Sequence, residues 1–334
     1  MKIQRKIKGA LFLAIFVCGL MTTVPGLAKP AAKGIYVQYH TQKEIKNYVK
    51  KHKFGTGGTI RYAKKPSLAP GSYSAGSLQK SSLKEGLNAL NTMRYIAGIP
   101  ADVKLDSGYN KKCQSAALLN AANNQLSHYP AKPSGMKEAL YKLGAEGAGS
   151  SNLAYTSWQT NLAYSVGMWM DDSDQGNIDR LGHRRWVLDP YMKKTGFGYV
   201  NGYSGMYAFD GFNRKYADVT STNPASKYYG VAWPAQNMPV EYFNSREAWS
   251  ISMGRDVDSS KVKVTLTRKR DKKKWVFSKK KANGYFNVNN AGYGQSGCII
   301  FRPDNISYQS GDVYQVKITG AGKTVSYEVR FFRL

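Results

Sequence analysis

The spacing of apolar residues divides the chain into a helical first half and a strand-rich second half. Between residues 82 and 172, apolar residues recur every three or four positions in four stretches, as on one face of an α-helix. The first stretch is expected to begin at Ser82, since Glu85 follows at the spacing of a capping box. It is expected to end at Gly98, because glycine readily closes a helix.

The second and third stretches predict two more helices and one thiol in the core. The second helix starts near Asp106 and places Cys113 on its apolar face, so Cys113 is predicted to be a core residue. A shorter third helix is expected to stop at Gly144 and Gly147. The residues that follow, 149–153, are predicted to form a tight loop.

The fourth stretch ends near an aspartate in an unfavourable position. The apolar positions run from Trp158 to Met170, and Trp158, Trp169 and Trp186 are each predicted to lie in the core. Asp172 comes at the C-terminal end of this helix, where the helix dipole disfavours a negative charge. Another group is therefore expected to stabilise Asp172.

Strand patterns replace helical patterns after Pro190. The dipeptide Asn201-Gly202 between two apolar runs predicts a β-hairpin, and a further strand is expected at residues 229–233. Helices followed by strands indicate an α+β fold. The predicted domains are therefore a mainly helical one at 84–235 and an all-β, immunoglobulin-like sandwich at 236–334.

The residues before the first long helix predict a leader and a polar arm. A basic head, an apolar run and a small-residue cleavage signal indicate a signal peptide at residues 1–28, so the protein is expected to be secreted and extracellular. Residues 29–83 are polar and predict an extended arm and linker with one short helix at 42–53. His40 and His52 in this arm are expected to be solvated. No second apolar run is long enough to predict a transmembrane segment.

The composition indicates an anionic partner. The sequence has 49 Lys and Arg against 21 Asp and Glu, a net charge of +28, and removal of the leader would leave +24. A secreted protein with this charge is attracted to anionic cell-wall polymers, glycans or lipid surfaces, whereas no motif indicates specific nucleic-acid binding. The basic runs 268–274 and 279–281 are expected to be solvated turns or a patch that binds anionic polymer. Cys113 and Cys298 are expected to be buried thiols, with a bridge between them left open.

A set of short motifs resembles the CAP superfamily, the group of cysteine-rich secretory, antigen 5 and pathogenesis-related-1 proteins, also called SCP-like. The motifs occur in the family's order over residues 84–215. They are Leu90, Asn91 and Arg94; Leu105-Asp106; Leu126-Ser127-His128; Ser151-Asn152-Leu153; Trp169 with Asp172; Leu181-Gly182-His183-Arg184; and Gly196-Phe197-Gly198-Tyr199.

The resemblance implies a particular fold and site. The family fold is an α–β–α sandwich with a cleft that holds two histidines and two acids, and some members bind a divalent metal such as zinc there. Carried onto this chain, the histidines are His128 and His183, and Asp172 is the second acid. Ser151 stands where the family has the glutamate of a Gly-Glu-Asn motif. Bacterial members are secreted and often carry an additional domain.

The residue types leave several interpretations of this cleft open. His128, Asp172 and His183 suffice for a three-ligand zinc site, which would suit a metal-dependent hydrolase. The histidines could instead be hydrogen-bonded residues that hold loops together, or the cleft could bind an organic ligand or peptide without metal. Ser127 or Ser151 could serve as a nucleophile by residue type, but no nucleophile-elbow motif accompanies them. The sequence favours a non-catalytic binding or surface-interaction module over an enzyme and assigns no definite cofactor.

Overall fold

A computed structural model gives the structure of the chain and describes residues 32–55, 58–158, 160–211 and 229–334. The predicted signal peptide at 1–28 lies outside these ranges, and the chain from residue 31 onward forms one compact unit. None of the described helices combines the length and the apolar character needed to span a bilayer. The described helices are α1 (Gln42–Lys51), α2 (Lys80–Ala97), α3 (Ser107–Asn123), α4 (Glu138–Gly149), α5 (Leu162–Asp171) and α6 (Gly182–Val187).

Helix α2 begins earlier than the sequence predicts. Gln79 is its N-cap residue and makes no side-chain capping bond, so the capping box predicted at Ser82 is wrong. The Ser82 hydroxyl is used elsewhere, because it accepts a hydrogen bond from Arg61 N at 2.9 Å. The predicted end is confirmed, since Gly98 follows the helix in the left-handed conformation with φ of 74°.

Helices α3 and α4 pack so closely that glycines are needed inside α4. Helix α3 starts next to Asp106 as predicted, and Asp106 caps it, because its Oδ1 accepts hydrogen bonds from two backbone N–H groups of the first turn. A side-chain carbon on Gly147 would lie 2.2 Å from the carbonyl oxygen of Lys112 in α3. The prediction that glycines stop α4 is therefore wrong: they permit the contact, and the helix continues to Gly149.

Helix α5 begins after the first of the predicted core tryptophans. Asn161 caps the helix by accepting a hydrogen bond from Tyr164 N. Trp158 lies before this cap and is 57% exposed, so its predicted core position is wrong. Trp169 and Trp186 are buried as predicted.

Sixteen strands are described, in five sheets. The first seven are β1 (Tyr62–Lys64), β2 (Ser77–Leu78), β3 (Lys104–Leu105), β4 (Ser151–Tyr155), β5 (Lys194–Thr195), β6 (Phe197–Val200) and β7 (Tyr203–Tyr207). The others are β8 (Val231–Trp233), β9 (Asn237–Pro239), β10 (Trp249–Ser252), β11 (Lys263–Arg268), β12 (Lys274–Phe277), β13 (Gly284–Asn289), β14 (Cys298–Pro303), β15 (Val313–Thr319) and β16 (Val325–Phe332). This mixture of helices and sheets confirms the α+β class.

A three-stranded antiparallel sheet, in the order β4-β7-β6, lies within the helical part. The segment predicted as a loop at 149–153 is largely strand β4. Four of the five side chains of β4 are buried, so no alternation of polar and apolar residues marks it as a strand. The predicted hairpin joins β6 to β7, and Asn201 and Gly202 both have the positive φ of a type I′ turn.

Helices cover both faces of this sheet. On one face, Gly198 of β6 lies against α3, because a side-chain carbon there would be 2.2 Å from the carbonyl carbon of Cys113. On the other face, Phe197 lies beside the contact between Gly86 of α2 and Leu162 of α5. Because successive residues of a strand point to opposite faces, the helical part is an α–β–α sandwich. The two small pairs, β1 with β2 and β3 with β5, lie outside this sheet.

Two larger sheets form the β-rich C-terminal part. Their strand orders are β13-β14-β10-β8 and β12-β11-β15-β16-β9. Trp249 of the first sheet stacks on Phe301 and meets Tyr314 and Phe331 of the second at ring-centroid distances of 5.8 and 6.3 Å. The two sheets thus share one core, and the immunoglobulin-like assignment remains a prediction.

The junction between the helical and β-rich parts is more continuous than a boundary after residue 235 implies. Strand β8 precedes that boundary, yet it pairs with β10 of the C-terminal sheet. The predicted arm also joins the C-terminal part, since Lys33 N donates a hydrogen bond to Ser326 O at 2.8 Å. The division into two domains remains a prediction.

The two histidines of the arm differ from each other. His40 is only 8% exposed and stacks on Tyr95 at 3.7 Å, so the prediction that it is solvated is wrong. Burial lowers the pKa of His40, which favours the neutral ring. His52 is half-buried and stacks on Tyr48 at 4.0 Å.

Candidate functional site

Three of the four predicted site residues line one open cleft of about 600 Å³. His128 comes from the loop after α3, Ser151 from the start of β4 and His183 from the first turn of α6. The fourth, Asp172, is buried behind His183. The structure therefore brings the predicted residues together, but it gives Asp172 a different position from the other three.

Asp172 connects the end of α5 to the start of α6. It follows α5 in the left-handed conformation with φ of 46°. Its Oδ2 accepts hydrogen bonds from His183 N (2.9 Å) and Arg184 N (3.2 Å). These donors belong to the first turn of α6, where a negative charge is favourable. The expected partner of Asp172 is therefore the N-terminus of the next helix.

The same carboxylate fixes the ring of His183. Asp172 Oδ1 lies 2.7 Å from His183 Nδ1, and since a carboxylate only accepts, Nδ1 carries the proton. Nε2 is then the unprotonated nitrogen of the neutral ring, in a side chain that is 23% exposed.

His128 is held in the same tautomer by the backbone. Its Nδ1 lies 2.8 Å from the carbonyl oxygen of Ala148 near the end of α4. A carbonyl oxygen accepts, so Nδ1 again carries the proton and the neutral ring keeps Nε2 as an acceptor. The cleft therefore contains two imidazole rings of fixed tautomer.

Ser151 lies at the cleft wall, but its hydroxyl faces the helical core. Its Oγ lies 3.4 Å from Cys113 Sγ, and both residues are buried. Burial raises the pKa of the Cys113 thiol to about 12, which keeps the thiol protonated. Ser151 and Cys113 therefore do not form a reactive pair. Cys298 is likewise a buried free thiol. The neighbouring Asn152 donates a hydrogen bond to His183 O at 2.9 Å and so ties β4 to α6.

The predicted metal ligands do not fit a three-ligand site. Both oxygens of Asp172 accept hydrogen bonds, and its side chain is 1% exposed. No three His, Cys, Asp or Glu side chains in the described ranges are grouped so that they could hold a metal ion. A serine at position 151 adds no effective zinc ligand.

Aromatic residues form much of the remaining cleft wall. Tyr129 is 91% exposed beside His128, and Trp186 and Phe209 contact each other at a centroid distance of 4.8 Å. Tyr293 reaches the cleft from the C-terminal part. Sequence reasoning missed Tyr293, because it is more than a hundred residues from His183 and no local pattern connects the two.

Two arginines of α6 join the cleft to the C-terminal part. Arg184 is fully buried, and its guanidinium donates to the carbonyl oxygens of Met170 (2.6 Å) and Ala248 (2.5 Å). Arg185 donates to Asn289 Oδ1 at 2.8 Å and lies 5.0 Å from the ring centre of Tyr293. In the sequence, the one sign of this role was the position of the two arginines directly before the apolar residues Trp186 and Val187. Arginines that are buried with such residues need several hydrogen-bond acceptors from elsewhere in the fold.

Gly182 allows the aromatic wall to approach α6. A side-chain carbon on Gly182 would lie 3.0 Å from the ring of Tyr293. Tyr293 therefore packs against the first turn of α6, immediately beside His183.

Comparison with known proteins supports the resemblance for the helical part. Residues 87–216 match the sequence profile of the CAP family, described as the cysteine-rich secretory protein family. The match covers about two fifths of the chain, includes all four predicted site residues and ends before the two C-terminal sheets. No curated protein and no solved structure matches the chain.

Proposed function

We propose that this chain is a secreted CAP-like protein that acts outside the cell as a binding module and catalyses no reaction. Its ligand site is the cleft lined by His128, Ser151 and His183. The observation that carries the proposal is the structural use of Asp172, whose carboxylate caps α6 and orients His183. Both oxygens of Asp172 are thereby used within the fold, so the carboxylate is not available as a metal ligand.

The hydrolase alternative lacks support from the remaining groups. A zinc site would need a third ligand besides His128 and His183. The Ser151 hydroxyl contacts Cys113 Sγ, and the Ser127 hydroxyl accepts a hydrogen bond from Tyr129 N at 3.0 Å. Neither serine makes a hydrogen bond to a histidine within the described residues, as an activated nucleophile would.

The cleft suits an organic ligand or peptide that is apolar with a few polar groups. Exposed Leu126 and Tyr129 at the cleft provide apolar contact area, and the imidazole rings provide hydrogen-bonding groups of fixed tautomer. Arg180 adds a cationic donor. Such a mixed lining can recognise a ligand through apolar contact and a few hydrogen bonds.

The net charge supports attachment to an anionic surface, such as cell-wall polymer, glycan or lipid. The charge of +24 that remains without the predicted leader attracts such surfaces at long range, and salt screens the attraction. The C-terminal part, which we take to be an immunoglobulin-like sandwich, would share in this attachment.

Metal content tests the non-catalytic assignment. The purified mature protein should bind no stoichiometric zinc or other divalent ion after mild dialysis and readdition of metal. His128→Ala and Asp172→Ala serve as comparisons. Stoichiometric metal in the wild type that is lost in both variants would contradict the proposal and favour the metal-dependent hydrolase.

Sedimentation with vesicles tests the attachment. The protein should sediment with phosphatidylglycerol vesicles at low salt and be released as salt rises, but it should not sediment with phosphatidylcholine vesicles. Insoluble cell-wall material gives a second anionic surface. If the protein binds neither anionic preparation, attachment by charge is ruled out. The same holds if added salt leaves the binding unchanged.

A further inference from the structure

Five cationic side chains surround an open pocket of about 750 Å³ that shares no lining residue with the histidine cleft. Two come from the last turn of α1, two from the segment after it and one from the beginning of α2. They are Lys50, Lys51, Lys53, Arg61 and Lys84. All five are exposed, so their charges act on whatever enters the pocket.

Little negative charge offsets these cations. Within the described ranges, none of the five forms an ion pair with a carboxylate. Glu85 also lines the pocket, but one of its oxygens accepts a hydrogen bond from Gly55 N at 2.9 Å. The first turn of α2 contains no acidic residue, so the positive end of that helix adds to the same potential.

The basic run at 268–274, expected from sequence to form a solvated turn or a patch that binds anionic polymer, is partly neutralised. Arg268 pairs with Asp271 at 2.6 Å, and Arg270 pairs with Asp312 at 3.4 Å. Lys269 pairs with Glu328. Lys272, Lys273 and Lys274 make no ion pair within the described residues, and neither do the lysines of the exposed turn at 279–281. The pocket between α1 and α2 gathers five unpaired cations around one open cavity.

The lining indicates the chemical class of the ligand. Five cations in a pocket of this size exceed what one phosphate group needs, so several closely spaced anionic groups fit better. The hydroxyl groups of Thr59 and Ser81 supply further donors to oxyanions. No Phe, Tyr or Trp is among the described lining residues, so any stacking on bases would depend on His52 and Arg61.

We propose that this pocket binds a linear polyanion with closely spaced phosphate groups. It would be the place where the protein contacts the anionic surface, and in that respect it rests on the attachment proposed above. The binding is electrostatic and weakens steeply with salt.

Calorimetric titration of the full mature protein with tripolyphosphate at low salt tests the site. Lys51→Gln with Arg61→Gln removes two charges from the pocket, and Lys279→Gln with Lys280→Gln removes two charges from an exposed turn. The pocket pair should bind about tenfold more weakly than wild type, while the turn pair stays within about twofold. The dependence of log Kd on log salt should also become shallower by about one per pocket cation removed.

Thermal unfolding of both double variants checks that they are folded. Their melting temperatures should equal that of the wild type, because the four substituted side chains are exposed. Equal weakening in the two pairs would show that only net charge matters and would overturn the site. Loss confined to the turn pair would overturn it as well. Tighter, pocket-dependent binding of oligothymidylate than of polyphosphate with the same number of phosphates would overturn the ligand class in favour of nucleic acid.

Vesicle sedimentation separates this inference from the attachment itself. If the wild type and the pocket pair bind phosphatidylglycerol vesicles equally, the pocket is not the contact site, although attachment stands. If the wild type binds neither vesicles nor tripolyphosphate, both proposals fail. Loss of vesicle and tripolyphosphate binding in the pocket pair alone supports both.

Discussion

Individual cleft residues have roles that follow from the hydrogen bonds they make. Asp172 satisfies two backbone donors of α6 and the Nδ1 proton of His183 with one buried carboxylate. Ser151 is buried, and its hydroxyl lies 3.4 Å from Cys113 Sγ. The serine thus takes a packing role in this chain.

Substitutions of Asp172 should separate its capping role from its effect on His183. In Asp172→Asn, the amide oxygen can still cap α6, but the amide N–H group faces the His183 ring and should move its proton to Nε2. Asp172→Ala leaves buried donors unpaired and should cost about 2 kcal/mol of unfolding free energy. Urea unfolding measures the stability, and ring ¹⁵N chemical shifts report the tautomer. Wild-type stability of the alanine variant would contradict the capping role.

Glu247 should make the stability of the protein depend on pH. Burial raises the pKa of Glu247 to about 8, and the Arg184 guanidinium 3.8 Å away lowers it by less than burial raises it. A folded-state pKa above the ordinary value near 4.5 means that the folded state holds the proton more tightly. This contribution to stability is complete below about pH 4.5 and is lost as pH rises through about 8.

Glu247→Gln should therefore flatten the decline in unfolding free energy between those pH values. The exposed Glu241→Gln is the control and should keep the wild-type profile. Urea unfolding at a series of pH values measures both. A wild-type slope in Glu247→Gln would show that Glu247 is ionised in the fold.

At the scale of helices and strands, close packing explains where sequence patterns succeed and fail. The hairpin at Asn201-Gly202 and the cap at Asp106 are local, so neighbouring residues suffice to predict them. Strand β4 is buried on both faces, and α4 runs through glycines because α3 lies against them. Such features depend on residues far away in sequence, and a single sequence does not reveal them.

The residues of the candidate site can also be divided into those that the sequence predicts and those that only tertiary contacts reveal. His128 and His183 could be identified from motif order, and the C-terminal position of Asp172 correctly indicated a further partner. The contributions of Tyr293 and the acceptors of Arg184 arise from tertiary contacts, so sequence spacing could not give them. The charges of the basic run at 268–274 were visible in the sequence, but the pairing of Lys269 and Arg270 with distant acids was not.

Two helical glycines should respond oppositely to substitution by alanine. Gly147→Ala places a methyl group against the Lys112 carbonyl and should destabilise the protein by roughly 1–3 kcal/mol. Gly167 of α5 has open space around it, so Gly167→Ala should stabilise by up to about 1 kcal/mol through helix propensity. Denaturant unfolding compares them, and a shared sign would mean that the α3–α4 contact is looser than described.

At the scale of the whole molecule, buried arginines connect the helical and β-rich parts. Arg184 donates to carbonyl oxygens on both sides of the junction, and Arg302 of β14 donates to Ser173 O at 3.3 Å. Separation of the two parts would break these hydrogen bonds and leave the guanidinium groups without acceptors. Buried donors without acceptors raise the free energy of the protein.

Thermal unfolding of the mature protein should therefore show one cooperative transition. Differential scanning calorimetry should give a calorimetric enthalpy equal to the van't Hoff enthalpy. Two resolved transitions would instead indicate that the parts unfold independently, as two predicted domains would. Arg184→Leu, which removes the shared donor, is expected to broaden or split the transition, whereas the exposed Arg246→Gln should leave it unchanged.

Helix α6 also has consequences for how this sequence can evolve. Three consecutive residues of α6 have three different surroundings. His183 lines the cleft, Arg184 donates to the Ala248 carbonyl oxygen, and Arg185 donates to the Asn289 side chain. An α-helix turns by about 100° per residue, so gaining or losing one codon within α6 would misdirect all three side chains at once. Among descendants of this gene, the length of α6 should therefore vary less than the identity of its exposed neighbours.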